Sequence, residues 1–172
     1  MEMTDLTVST SNERWKPSVT VAAVIERDGK FLLVEEHTPE GLRLNNPAGH
    51  LDPGESPQDG CAREVLEETT CHFTPQALVG IYLNRFQRAA LAGHLVEDIT
   101  YLRFAFCGTV GHPQSHLQLD DGIVRTLWLT PQEVRDSAHL HRSPLVVQCM
   151  EDYLKGQRYP LATVMTDSSV ML

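Results

Sequence analysis

The sequence is short of positive charge: Lys and Arg number 14 against 23 Asp and Glu, a formal net charge of -9 at pH 7. Proteins that track a DNA or RNA backbone need a basic footprint, so no polymeric nucleic acid is expected as a partner. A small phosphorylated substrate is still open, because a bound metal ion can invert the local charge. No apolar run is long enough to cross a bilayer as a helix, and no membrane partner is expected. The opening stretch, MEMTDLTVSTSNERWKPS, is polar and acidic and lacks the pattern of a secretory signal. No two of the four cysteines (Cys61, Cys71, Cys107, Cys149) form a C-x-x-C pair, which removes the usual zinc and dithiol readings. Scattered thiols fit a reducing, cytoplasmic setting. What remains is ordinary globular composition, 41% hydrophobic in 172 residues, enough for one domain with a real core.

Along the chain, VTVAAVIE (Val19–Glu26) and KFLLVEE (Lys30–Glu36) read as strands rich in β-branched residues. Arg27-Asp28-Gly29 between them is hairpin chemistry. A loop is expected from His37 to Pro47. Ser56-Pro57-Gln58-Asp59 then gives a cap, a first-turn proline and an acid in the positive first turn, which predicts a helix to about Thr69. Further strands are predicted at Val79–Phe86, Ile99–Cys107 and Val124–Leu129. Thr130-Pro131-Gln132-Glu133 opens a short helix, and Ser143-Pro144 opens another that stops near Gly156. Residues 1–16 read as an N-terminal tail, 17–156 as one domain, and 157–172 as a loosely held C-terminal tail. Strands and helices mixed in this order predict an α+β fold, an α/β/α sandwich around a mixed β-sheet.

The stretch with chemistry in it is GHLDPGESPQDGCAREVLEETTC, Gly49 to Cys71. Glu64, Glu67 and Glu68 stand at i, i+3 and i+4, which puts three carboxylates on one helical face. Like charges so placed repel, and a hard divalent cation such as Mg²⁺ or Mn²⁺ relieves that repulsion. Cys61, Ala62, Val65 and Leu66 form the face that packs on a sheet. Arg63 is placed to pair with Glu55 in the preceding loop. An acidic helical face alone is more often a solvated surface; here the surrounding pattern counts against that.

The pattern resembles the Nudix box, G-x5-E-x7-R-E-U-x-E-E-x-G-U, with U a bulky apolar residue. Gly49, Glu55, Arg63, Glu64, Val65, Glu67 and Glu68 fall on it in register. Thr70 stands where the family has glycine and Cys71 where a larger aliphatic is usual. That glycine closes the helix with positive φ, which threonine adopts poorly, so a shifted or strained helix end is expected. The segments KPSVTVAAVIERDGKFLLVEE, NNPAGHLDPGE, RSPL and GQRYPL are similar to the NudJ-type phosphatase subgroup. The resemblance covers about Trp15 to Leu161. It implies a Mg²⁺-dependent hydrolase of phosphoanhydride bonds, acting on nucleoside di- and triphosphates or on thiamine or hydroxymethylpyrimidine diphosphate. It further implies Glu64, Glu67 and Glu68 as metal ligands and catalytic residues, Arg63 beside them, and the Gly49 carbonyl as a further ligand. Glu64 or Glu68 could instead take the proton of the attacking water. Glu55 and Val65 are structural members of the box.

A later loop often supplies another acid in this family; Asp120 and Asp121 are the candidates, a solvated turn being the alternative. For substrate binding, Asn45 and Asn46 could meet a base ring or merely form a turn. Arg103, in a strand, could meet a phosphate, though an outward salt bridge is the commoner use. Arg142 precedes a helix start, a good anion position, though ordinary capping is the simpler role. Tyr82, Phe86 and Trp128 could stack on a ring or serve the core. Three rivals remain: a Nudix module that binds a nucleotide or metabolite with little catalysis, another Nudix enzyme such as an isoprenoid-diphosphate isomerase, for whose additional catalytic residues there is no clear signature, and an interaction protein with an acidic surface. All box glutamates are present, which favours the enzyme. The chain is expected as a monomer or homodimer.

Overall fold

The computed structural model describes residues 14–88 and 97–171. Two four-stranded sheets form the frame. In the first, the order is β5 (Ala48–His50), β1 (Ser18–Val24), β7 (Glu97–Val110) and β6 (Phe73–Arg88). β1 runs parallel to β7 and antiparallel to β5, so this sheet is mixed. In the second, β3 (Lys30–Thr38) pairs antiparallel with β2 (Glu26–Arg27), β4 (Gly41–Asn45) and β8 (Ile123–Leu129). The β2–β3 turn has Asp28 at φ 52° and Gly29 at φ 76°, the positive-φ pair that the Asp-Gly dipeptide predicts.

Val21 to Val24 of β1 are fully buried on both faces, as a central strand under two layers must be. On one face Val21 and Ala23 meet Cys61 and Val65 of α1 (Pro57–Thr69). On the other, Val24 and Ala105 meet Val146, Cys149 and Met150 of α3 (Leu145–Leu154), with Val134 of α2 (Pro131–Asp136) in the same cluster. Helices on both faces of a mixed sheet make the α/β/α sandwich. No helix among the described residues is long and apolar enough to cross a membrane. All four cysteines are free and buried.

Three expectations are corrected. The stretch His37 to Pro47 is not a loop: β3 runs on to Thr38, and β4 pairs with it from Val34↔Asn45 to Thr38↔Gly41. β6 begins at Phe73 rather than Val79, absorbing Pro75 by register shifts at Pro75/Ala77 and Leu78/Gly80. The segment after Gln157 is not loosely held. Tyr159 and Leu78 exchange backbone hydrogen bonds of 2.8 and 2.9 Å, and Leu161 and Val164 pack on the α1-side core. Most of the expected N-terminal tail lies outside the described residues.

α1 starts and stops by local chemistry. Ser56 Oγ accepts the Asp59 N–H at 3.1 Å, and Pro57 occupies the first turn. At the other end Thr70 adopts φ 59°, and its N–H reaches the Leu66 carbonyl at 2.8 Å. The helix end is therefore unshifted, with a β-branched residue held in the left-handed region.

Candidate active site

Arg63 organises the outer half of the site. Its Nε and Nη2 donate to both carboxylate oxygens of Glu55 at 3.0 and 2.8 Å, the bidentate pairing expected of that guanidinium. Nη2 also donates to the His50 carbonyl at 2.9 Å. Nη1 donates to Glu64 at 2.7 Å and Glu67 at 3.0 Å. Its hydrogen bond from Arg63 holds the Glu55 carboxyl below the usual range, and the same contacts raise the pKa of Arg63. The predicted Arg63–Glu55 pair is thus present, with two helix glutamates added to it.

Glu64 lies against Gly49: a Cβ at position 49 would overlap the Glu64 carboxylate. Glycine there is a steric requirement of the close approach. Burial pushes the Glu64 carboxyl up, against the stabilising hydrogen bond from Arg63.

Glu68 faces inward and is 8% exposed. Its Oε2 accepts the Ala48 N–H at 2.9 Å. Burial is the main force pushing its pKa up to about 8; the Ala48 N–H opposes, and the charges of Glu64, Glu36 and Asp120 push further. Asp120 is therefore near the site, and its N–H donates to the Glu67 carbonyl at 2.9 Å. Asp121 is exposed on the turn leading into β8.

Among the described residues no three His, Cys, Asp or Glu side chains stand as a ready metal cage. The donor set nevertheless fits a hard divalent cation. The charges of Glu64, Glu36 and Asp120 all reach Glu68, whose carboxyl burial has already pushed up, and carboxylate oxygens are the ligands such an ion prefers. Glu64, Glu67 and Glu68 would be the residues to hold such an ion.

Beside these glutamates opens a cleft of about 670 Å³. Ala48 and Gly49 form one side; Asn45, Arg103, Arg142, Phe86 and Tyr101 are among the residues of the rest. Arg103 departs from the outward salt bridge expected of it. It is 8% exposed, and its Nε and Nη1 have no hydrogen-bond partner. Burial pulls its pKa down, and the Arg142 charge adds to that. Arg142 departs from simple capping: α3 has no side-chain cap, and the Arg142 guanidinium instead pairs with Glu36. Asn45 donates to Glu36 at 3.2 Å. Asn46 is buried with an unpaired Oδ1 and does not line the cleft. Of the three aromatic candidates, Phe86 lines the cleft. Tyr82 donates to Asp152 at 3.1 Å, and Trp128 packs on the α1-side core under Arg27.

Glu36 is the residue that sequence reasoning missed. Its signal was periodic: Leu32, Val34 and Glu36 share a face of β3, and a carboxylate in that inward series requires a partner.

The sequence pattern of the NUDIX domain matches residues 14–149, and the chain belongs to the Nudix hydrolase family. Members of this family generally use divalent metal ions. The chain is 35% identical over 158 residues to phosphatase NudJ of Escherichia coli strain K12, covering 87% of this chain and 92% of that one. A solved Nudix hydrolase from Nitrosomonas europaea is 49% identical, covers 88% of this chain and 98% of its own, and superposes with a TM-score of 0.77. A solved UDP-X diphosphatase, 19% identical with a TM-score of 0.62 over 88% of this chain and 70% of its own, shares the fold.

Proposed function

We propose that the protein is a Mg²⁺-dependent hydrolase of phosphoanhydride bonds in small di- and triphosphate metabolites, with NudJ-like substrates. These would be nucleoside di- and triphosphates and thiamine or hydroxymethylpyrimidine diphosphate, with Mn²⁺ as a substitute metal. One observation carries the reading. A single cleft is bordered on one side by Ala48 and Gly49, which touch Glu68 and Glu64, and on another by the guanidinium groups of Arg103 and Arg142. Carboxylates suited to a metal so lie directly behind one wall of the cleft, and cationic side chains form another.

The bound metal would supply charge neutralisation at phosphate oxygens and acidify a water. The chain supplies the rest. Arg63 fixes the rotamers of Glu64 and Glu67, so that the ligand set is held in place before substrate arrives. Arg103 offers donors to the anionic substrate from a dry wall, where they are worth more than in water. Glu64 or Glu68 accepts the proton of the attacking water. Phe86 borders the cleft where the organic part of the substrate would lie.

The test is phosphate release with and without Mg²⁺ from a panel of nucleoside di- and triphosphates, thiamine diphosphate and hydroxymethylpyrimidine diphosphate. Glu64→Gln should lower turnover by at least about 10³-fold with little change in folding. Unchanged turnover in that variant would sink the assignment.

A further inference from the structure

The Glu36 carboxylate is buried, yet both of its oxygens are in use. Asn45 Nδ2 donates to Oε1 at 3.2 Å, and Arg142 Nη1 donates to Oε2. The ladder of β3 and β4 explains the first contact: Glu36 sits opposite Arg43, and Asn45, opposite Val34 two pairs along, shares that face. A strap explains the second. The Arg142 N–H donates to the Leu44 carbonyl at 2.9 Å, so its backbone is tied to β4 and its side chain reaches across to β3. Glu36 takes up one of the five N–H groups of the guanidinium, and Arg142 is among the residues that line the cleft.

We propose that Glu36 is a positioning residue, which Asn45 orients and which in turn holds Arg142 over the cleft to bind the anionic group of the substrate. The inference rests on the reading of this cleft as the substrate site. A half-exposed arginine loses rotamer freedom when it clamps a ligand; the Glu36 contact removes that loss before binding. Glu36 therefore acts on substrate affinity and leaves the chemical step to the helix glutamates. A carboxylate beside an anion site would by itself repel the substrate, so the two effects of Glu36 have opposite signs and an experiment separates them.

The experiment is a double-mutant cycle on the full chain with Glu36→Gln, Arg142→Ala and the two combined. KM and kcat are measured on one nucleoside diphosphate with Mg²⁺, and binding of inorganic pyrophosphate is measured by titration. The expected result is KM and pyrophosphate Kd raised about tenfold in each single variant, kcat within about twofold, and a double variant no worse than Arg142→Ala. A Glu36→Gln effect that persists undiminished in the Arg142→Ala background overturns the proposal. So does a lowered KM, or a fall in kcat with KM unchanged. The double variant leaves neither charge unpaired, so it reports even where Glu36→Gln folds poorly. If no substrate is turned over but the pyrophosphate cycle is non-additive, the hydrolase reading falls and the role of Glu36 stands.

Discussion

The Glu68 carboxylate accepts the backbone N–H of Ala48 at 2.9 Å while three other acidic side chains add to the negative field around it. One amide dipole is weak compensation for a buried carboxylate so placed. A divalent ion at this site should therefore stabilise the fold as well as serve the reaction. At about 100 times its Kd, Mg²⁺ adds about 2.7 kcal/mol, or roughly 5–10 °C in Tm for a chain of this size. Thermal melts with Mg²⁺ and with a chelator check this. Glu68→Gln should raise the metal-free Tm and remove most of the metal-dependent gain. A Tm indifferent to both Mg²⁺ and Mn²⁺ would count against the metal site.

Gly49 and Glu64 make the tightest steric prediction. A methyl group on residue 49 would overlap the Glu64 carboxylate, and Arg63 prevents that carboxylate from swinging freely away. Gly49→Ala should cost about 1–3 kcal/mol of stability and lower kcat by at least about 100-fold, because Glu64 must leave its place. Chemical denaturation and steady-state kinetics on the same preparation check both halves.

These predictions come from the part of the protein most legible in its sequence. The box residues lie within twenty positions, and those from Arg63 to Glu68 stand on one capped helix, where a 3.6-residue period sets their relation. β4 was not legible, because Gly41-Leu42-Arg43-Leu44-Asn45 becomes a strand only through its ladder with β3. The buried state of Arg103 was hidden for the same reason. Its strand alternates as an outward arginine would, and its burial depends on α3, β3 and Arg142, far off in sequence. Glu36 became significant only when residue 142 was brought beside it.

Thr70 shows a local rule broken at small cost. Its φ of 59° strains a β-branched residue, where glycine would be at ease. Thr70→Gly should raise stability by about 1 kcal/mol, the relief of strain exceeding the added chain entropy. Denaturant midpoints at constant m-value check the sign; destabilisation would show that the buried threonine side chain matters more than the backbone.

The segment after Gln157 clamps the start of α1. Gln58 Nε2 donates to the carbonyls of Leu161 and Val164 at 3.2 and 3.0 Å, and Tyr159 bridges to Leu78. Truncation after Gln157 should cost about 2–4 kcal/mol from lost apolar burial and hydrogen bonds. Activity should fall with it, because Gln58 belongs to the helix that carries Glu64. Differential scanning calorimetry of the truncated chain checks this; an unchanged Tm would restore the loose-tail reading.

Asp152 gives the pH dependence. Burial raises its pKa, but hydrogen bonds from Gln148 at 2.9 Å, Lys155 at 3.2 Å and Tyr82 at 3.1 Å outweigh burial and hold the carboxyl below its ordinary value. A depressed folded pKa stabilises the protein at all pH values above the unfolded value of about 3.9, and that contribution is lost as pH falls through the folded value. Asp152→Asn should therefore destabilise at pH 7 and flatten the stability curve below about pH 4. A variant whose acid limb matches the wild type would assign that limb to other carboxylates.

Arg103 separates stability from function most sharply. The residue is 8% exposed, two of its nitrogens lack partners, and burial draws its pKa down. A fold selected for stability alone would put an apolar side chain there, since an unpaired buried cation costs several kcal/mol. Arg103→Met should raise the Tm of the ligand-free protein, by about 1–3 kcal/mol in stability, and raise KM at least about tenfold for phosphorylated substrates. The two effects must appear together. A loss of stability would mean that Glu36 and Glu68 already compensate the charge, so that Arg103 is a core ion partner. A gain in stability with KM unchanged would place the substrate's phosphates elsewhere, leaving Arg142 and the metal to bind them.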